Sequence, residues 1–162
     1  MIKRLFVIAL LAYLFFLLEF VLYDTLGVWG KPELLLLLVV FWGLYGGIRY
    51  SIAAAVFSGL LKDIFSILPF GTYLFVLLAA AYLTTLVRRN LYQPGSPFSR
   101  WVVAFFVFIG SFGIEFILYG MRHEARLSEV FLNIFLPALV ATMVVVTFVF
   151  YRLRDIAMLL KL

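Results

Sequence analysis

The charged residues of this sequence are gathered in short stretches that separate long apolar segments. These segments cover about 5–23, 33–45, 50–66, 72–87, 101–120 and 128–151. Hydrophobic residues make up 67% of the chain and charged residues 13%, against roughly 45–50% and about 25% in an ordinary soluble domain. A water-soluble fold cannot bury so much apolar surface, whereas helices in lipid satisfy their own backbone polar groups. The sequence therefore predicts an all-α integral membrane protein.

The length and the segment lengths set the domain organisation. With 162 residues, the chain is predicted to form a single polytopic membrane domain over 1–162, without a separate soluble module. A helix needs about 17–25 residues to cross the hydrocarbon core, so the second and third segments are short. Because Gly46-Gly47-Ile48-Arg49 joins them, we expect a tight helical hairpin that is partly buried against its neighbours or thins the bilayer locally.

The distribution of Lys and Arg predicts the orientation in the membrane. With a cytoplasmic N-terminus and six spans, nine of the 13 basic residues fall on the inner side: Lys3, Arg4, Arg49, Arg88, Arg89, Arg100, Arg152, Arg154 and Lys161. The outer side holds only Lys31, Lys62, Arg122 and Arg126. Basic residues in short loops are retained in the cytoplasm. We therefore expect six transmembrane helices with both termini cytoplasmic.

The third segment carries a stripe of small side chains. Ser51, Ala55, Gly59 and Asp63 are spaced four residues apart and so lie on one face of a helix. Small residues at this spacing let a neighbouring helix approach closely in a membrane, so packing is the expected duty of the first three. Asp63 differs because an ionisable group at membrane depth is costly. Helix capping or pairing at the outer interface and a binding role are both open for it.

Two further acidic residues lie inside apolar segments. Glu19 is about four residues before the outer end of the first helix and Glu115 about five before that of the fifth, which places them roughly 6–8 Å deep. Asp63 belongs to the same outer layer. We hypothesise that Glu19, Asp63 and Glu115 line one outward-facing polar recess or partner contact. The alternative is that each side chain simply reaches the headgroups.

The sequence contains no pattern that indicates catalysis. Cysteine is absent and His123 is the only histidine, so neither a thiolate site nor a histidine-based metal site can form. No phosphate loop, nucleophile elbow or pair of carboxylates with an evident nucleophile is present. The net charge of +5 follows membrane topology and does not indicate nucleic acid. We therefore expect no enzyme activity, no cofactor and no metal.

Three short motifs resemble a known family. They are Pro32-Glu33-Leu34-Leu35-Leu36-Leu37 at the start of the second helix, Gly59-Leu60-Leu61-Lys62-Asp63 at the end of the third, and Leu68-Pro69-Phe70-Gly71 before the fourth. In this order, and with a basic tail from Arg152 to Lys161, they resemble the rod shape-determining protein MreD family. The layout covers the whole chain, and the specific part covers 32–71.

The resemblance implies a non-enzymatic component of the rod complex, or elongasome, in the bacterial inner membrane, where it regulates peptidoglycan synthesis and cell shape. Such proteins bind MreC and, with it, connect MreB to the synthase RodA and its transpeptidase partner. The family is also similar to the substrate-binding S subunits of energy-coupling-factor transporters, which implies an S-component-like bundle with an outward pocket.

By the same resemblance, six residues match the family pattern and are expected to shape the fold and pocket: Pro32, Glu33, Gly59, Asp63, Pro69 and Gly71. Lys62 departs from that pattern, in which an apolar or small residue is usual. The alternative function is a solute-binding membrane subunit of a transporter for a vitamin or another small molecule. Such a subunit would bind its solute tightly without MreC and would dock a coupling protein through small residues, for which Gly43, Gly46 and Gly47 are the candidates.

Overall fold

The computed structural model describes residues 2–26, 32–66, 68–91, 97–120 and 135–159. These residues form six α-helices and no strand: α1 Ile2–Leu26, α2 Leu34–Tyr45, α3 Ile48–Ile64, α4 Thr72–Leu91, α5 Pro97–Gly120 and α6 Leu136–Leu159. The prediction of an all-helical chain is confirmed for this part of the protein.

Helix α2 lies at the centre of the bundle. Every residue from Leu34 to Leu44 is buried, and α2 packs against each of the other five described helices. A helix that is apolar on all sides is stable only where it is surrounded, which explains the central place of this leucine-rich segment. Its 12 residues span about 18 Å, well short of a hydrocarbon core of about 30 Å. Because its neighbours cover it, α2 does not need to match the lipid thickness.

The remaining helices are arranged around α2. Helix α3 packs most extensively on α4, and α4 in turn packs on α5. Helix α1 lies beside α3, and α6 lies beside α5. Short connections favour this arrangement of sequence neighbours as spatial neighbours. Phe41 of α2 and Phe150 of α6 meet edge to face, with ring centroids 5.7 Å apart, and fix α6 against the core.

The small side chains of α3 lie where helices approach closely. Ser51 and Ala55 are fully buried, and the Ser51 hydroxyl donates a hydrogen bond to the carbonyl of Val39 on α2 at 2.9 Å. Gly59 faces the first turn of α4, where a Cβ on Gly59 would lie 2.6 Å from the Cα of Leu74. The backbones of α3 and α4 can therefore meet only because this position carries no side chain.

Four of the described helices are long and apolar enough to cross a membrane: α1, α4, α5 and α6. Their outward surfaces carry many large exposed apolar side chains, including Phe6, Phe75, Phe105 and Phe148. Such a surface is stable against acyl chains and not against water. The protein is therefore a membrane protein, while the count of six spans and the positions of the termini stay predictions.

The observed helix ends differ from the predicted segments by a few residues. Helix α1 extends through Leu26 and α4 through Leu91, because apolar runs do not mark where a helix continues into the interface. Helix α5 begins at Pro97, a residue suited to a first helical position because the N–H it lacks would have no partner there. The predicted start of the last helix, 128–134, lies outside the described residues.

We expect Gly59→Ala to lower the free energy of unfolding by about 1–3 kcal/mol, because the added methyl group meets backbone atoms of α4 that cannot move independently. Gly113→Ala on α5 is the matched control, since no described atom of another helix lies within 4 Å of its Cβ position. That control should be neutral or gain up to about 1 kcal/mol from better helix propensity. Thermal unfolding of both variants in detergent micelles measures the difference, and equal melting temperatures would contradict the close α3–α4 approach.

Candidate functional site

The ammonium group of Lys62 is the centre of a buried charged cluster. Lys62 lies in the last turn of α3 and is only 9% exposed. Its Nζ is 3.5 Å from Oε1 of Glu19 and forms a second ion pair with Oε2 of Glu33. The same Nζ lies 4.6 Å from the centre of the Tyr73 ring, a cation–π contact. These four residues are called the Lys62 cluster below.

Backbone and hydroxyl groups extend the Lys62 cluster to the other helices. The N–H of Leu35 donates to Oε2 of Glu19 at 3.4 Å, and the N–H of Glu33 donates to the hydroxyl of Thr142 at 3.0 Å. Glu115 on α5 adds a longer-range attraction to Lys62. Each of the six described helices contributes a charged or polar group to the Lys62 cluster or its surroundings. These groups belong to Glu19 of α1, Leu35 of α2, Lys62 of α3, Tyr73 of α4, Glu115 of α5 and Thr142 of α6, and Glu33 lies just before α2.

Burial makes the Lys62 cluster sensitive to the loss of any one charge. Removing an ammonium or carboxylate from water costs several kcal/mol, and a buried pair compensates for this only when both partners are present. Here one ammonium forms ion pairs with two carboxylates, one from α1 and one from the residue before α2. The cluster therefore ties the ends of α1, α2 and α3 into one arrangement.

Asp63 follows Lys62 directly but has a different set of partners. Its Oδ1 accepts a hydrogen bond from the N–H of Tyr73 at 2.8 Å, and its Oδ2 accepts from the N–H groups of Gly71 and Leu74 at 3.0 and 3.1 Å. These are free backbone donors at the start of α4, where a negative charge also favours the helix dipole. Asp63 is 3% exposed and serves as the cap of α4.

The connection between α3 and α4 is shaped so that this cap can form. Gly71 has a φ of +98°, in the left-handed region that disfavours residues with a side chain. The carbonyl of Pro69 accepts hydrogen bonds from both the N–H and the hydroxyl of Thr72, at 3.2 and 2.7 Å. The turn thereby brings the first N–H groups of α4 over the carboxylate of Asp63.

The structure divides the residues that the sequence grouped as one outer recess. Glu19 and Glu115 both act on Lys62, whereas the Asp63 carboxylate faces the start of α4. Consecutive helix positions diverge by about 100°, which is the reason for this division. Pro32 is buried, and its carbonyl accepts the N–H of Leu34 at 2.9 Å at the start of α2. Binding of a ligand or partner at this outer layer stays a prediction.

Sequence reasoning missed Lys62 as the organising residue. It treated Lys62 as one of four outer basic residues and as a departure from the family pattern. A signal was nevertheless present, because Glu19 and Glu115 inside apolar helices require a cation nearby, and Lys62 is a basic residue of α3 at the same end of the bundle. Tyr73 and Thr142 had no comparable signal, since neither carries a charge.

The opposite end of the bundle is rich in arginine. Near the start of α3, the guanidinium of Arg4 donates to the Tyr50 hydroxyl at 3.1 Å, and that of Arg88 donates to the carbonyl of Gly43 at 3.0 Å. Arg100 lies over the ring of Tyr45, with its guanidinium carbon 6.0 Å from the ring centre. The described residues at the two ends of the bundle thus differ in charge, because the acids Glu19, Glu33 and Asp63 lie near the end of α3 and the arginines near its start.

No group of three or more His, Asp or Glu side chains in the described part of the chain is arranged to hold a metal ion. What the geometry provides is a fixed helical bundle, with one buried ionic cluster and exposed apolar sides.

The family model for the rod shape-determining protein MreD matches residues 1–154 of the chain. The chain belongs to the MreD family. Membership assigns it to rod shape determination and to a family of structural membrane proteins that is not a known enzyme family. No curated protein and no solved structure matched the chain.

Loss of the Lys62 charge is expected to destabilise this MreD family member strongly. Lys62→Met keeps a similar side-chain volume but leaves the carboxylates of buried Glu19 and part-buried Glu33 without their cation, at a cost of about 3–5 kcal/mol. Combining it with Glu19→Gln and Glu33→Gln should restore most of the stability, because the two carboxylates in direct contact with Lys62 are then replaced by neutral amides. Arg89→Gln, an exposed charge at the other end, is the control and should change stability by less than about 0.5 kcal/mol. If Lys62→Met unfolded in detergent at the same temperature as the wild-type protein, the stabilising role of the Lys62 charge would be contradicted.

Removal of the Asp63 carboxylate should loosen the start of α4. Asp63→Ala leaves three N–H groups without an acceptor, and we expect a loss of about 2 kcal/mol, the upper end for a helix cap. Amide hydrogen exchange at Gly71, Tyr73 and Leu74 should become faster, since these amides lose their partner. Thr85→Ala is the control, because it removes a hydroxyl bond within α4 to the Ala81 carbonyl and no cap. Unchanged exchange in Asp63→Ala would exclude the capping role.

Proposed function

We propose that the protein is a non-enzymatic membrane scaffold of the bacterial cell-elongation complex, which binds MreC and helps to link MreB to the peptidoglycan synthase RodA and its transpeptidase partner. The observation that carries this proposal is the match of the MreD family model to residues 1–154. Because that match covers nearly the whole chain, the function is assigned to the bundle as a unit.

The energetics of the bundle support a scaffolding role. A scaffold must hold its partner surfaces in one arrangement, and the Lys62 cluster links helices that are distant in sequence. Breaking one member of a buried ionic cluster is costly, so the described helices resist sliding past one another. The central α2, buried along its length, adds a rigid apolar core.

The proposed orientation follows from the arginine-rich end. Arg4, Arg88 and Arg100 contact residues around the end of α2 and the start of α3, and we assign this end to the cytoplasm by the positive-inside rule. Both termini then face the cytoplasm, and the chain makes six passes of the inner membrane. The short α2 and α3 complete their passes inside the bundle.

We assign the MreC transmembrane helix to an exposed face of α1. Phe6, Leu10, Tyr13 and Leu17 repeat at intervals of four, three and four residues, and all are exposed. This interval presents one continuous apolar stripe, the geometry with which helices pack side by side. Little of α1 is buried within the bundle, which leaves this stripe available to a partner helix.

The acidic outer layer is proposed as the contact for the periplasmic segment that follows the MreC helix. Half-buried Glu115 on α5 lies at the end of the bundle opposite the arginines, where such a segment would emerge. The Glu19 carboxylate is buried against Lys62 and that of Asp63 is occupied as the cap of α4, so direct contacts through these two are not part of the proposal.

Copurification tests the function and the surface together. The full-length chain and MreC are coexpressed and isolated in mild detergent, and we expect MreC to be retained. Leu10→Trp with Leu17→Trp should lower that retention roughly tenfold, because the added bulk costs at least about 1.4 kcal/mol of packing. Leu136→Trp with Val140→Trp on α6 is the matched control, since both positions are also exposed and apolar.

The copurification gives a different result for each possible function and surface. No retention of MreC by the wild-type chain would contradict the scaffold function, and recovery of a transporter ATPase with a tightly bound solute would favour the transporter subunit instead. Equal retention by the α1 and α6 variants would leave the function standing and exclude the α1 stripe. A separate Glu115→Gln variant tests the outer layer. If it retains less MreC than the wild-type chain but is equally stable, the periplasmic contact is supported.

A further inference from the structure

A groove between α5 and α6 opens at the arginine-rich end of the bundle, away from the Lys62 cluster. Its cavity has a volume of about 190 Å³ and is lined by Arg100, Trp101, Val146, Thr147, Phe150 and Tyr151. Val146 and Phe150 are buried and form its floor, whereas Trp101 and Tyr151 are exposed at its rim. We call this site the α5–α6 groove.

Of the described side chains that line the α5–α6 groove, Arg100 is the one that carries a charge. Its Nε is buried and has no hydrogen-bond partner among the residues that the structure describes. A guanidinium has five N–H donors, and leaving a buried donor without an acceptor costs free energy. Arg4 and Arg88 at the same end each donate a hydrogen bond, to a hydroxyl and to a carbonyl, whereas the buried Nε–H of Arg100 is left for an acceptor that a ligand supplies.

The surroundings of the α5–α6 groove indicate an amphipathic ligand. Next to it, Phe105 of α5 and both Val144 and Phe148 of α6 are exposed apolar residues on spanning helices, and therefore face acyl chains. Trp and Tyr at the rim are the residues typical of the headgroup level of a bilayer. A ligand here would bring an anionic group to Arg100 and an apolar chain to the outer face of the two helices.

The volume limits how much of the ligand enters. Pockets that enclose a whole small molecule measure about 300–1,000 Å³, so 190 Å³ is too small for one. The space equals about six water molecules at roughly 30 Å³ each, which suits a single phosphate group with a neighbouring part of its ester. The remainder of the ligand must lie outside the groove, against the lipid-facing side chains.

We propose that the α5–α6 groove binds the phosphate of an anionic phospholipid. Arg100 donates hydrogen bonds to the phosphate oxygens, Trp101 and Tyr151 flank the glycerol region, and an acyl chain lies along Val144 and Phe148. Basic pockets between transmembrane helices recognise anionic headgroups in this way, and the planar guanidinium matches two phosphate oxygens at once. The lipid belongs to the leaflet on which the arginine-rich end opens.

Native mass spectrometry of the full-length chain in mild detergent tests the proposal. The probes are phosphatidylglycerol and phosphatidylcholine at equal concentration, with soluble glycerol phosphate as a separate arm. We expect the wild-type protein to retain phosphatidylglycerol about tenfold over phosphatidylcholine, and Arg100→Gln to remove most of this preference, the effect of losing one hydrogen bond to a charged group. Arg89→Gln, an exposed arginine on α4 outside the groove, is the matched control and should keep the preference.

A second variant keeps the test decisive if Arg100→Gln does not fold. Thr147→Trp fills the groove from an exposed position without changing any charge, and it should also abolish the preference. The melting temperature of each variant is recorded to confirm folding. Three results would overturn the proposal: an undiminished preference in folded Arg100→Gln or Thr147→Trp, an equal loss in Arg89→Gln, or displacement of the lipid by glycerol phosphate at equal concentration.

Discussion

The buried ammonium of Lys62 constrains the whole bundle, because its charge cannot be desolvated unless carboxylates lie beside it. Glu19 comes from the second half of the most lipid-exposed described helix, and Glu33 lies just before the most buried one. Bringing both to Lys62 sets how far α1, α2 and α3 can slide along one another. Coulombic attraction in a medium of low polarity enforces that register more strongly than apolar packing alone, since apolar contacts change little with a small shift.

The two ends of the bundle are chemically distinct, and this asymmetry organises its interactions. At one end the acidic residues are satisfied internally, by Lys62 and by the first N–H groups of α4. At the other end the arginines contact a backbone carbonyl, a hydroxyl and aromatic rings, and Arg100 lines the α5–α6 groove. Internal satisfaction favours a stable shape, whereas unsatisfied donors favour ligands. The scaffold role proposed for this MreD family member needs both properties, one to hold its form and one to interact with its surroundings.

The fold also depends on the close approach of the α3 backbone to α2 and α4. Gly59 and the small residues of α3 let that helix contact α2 and α4 at short range, and Asp63 then reaches the start of α4. Spacing of four residues was enough to predict that these side chains share a face. It could not indicate which helix would cover that face, because several neighbouring helices could equally have met a surface of small residues.

The sequence by itself determined the solvent and the class of fold, since a chain so rich in apolar residues is stable only in lipid and only as helices. It also determined the family, through motifs around Pro32, Gly59 and Pro69. Only the tertiary structure decided the partners of the charges. Lys62 and Asp63 are neighbours in the chain, yet the helix turns their side chains toward different elements, and the acids that meet Lys62 are distant in sequence. Pairing across such distances depends on how the helices pack, which no local pattern encodes.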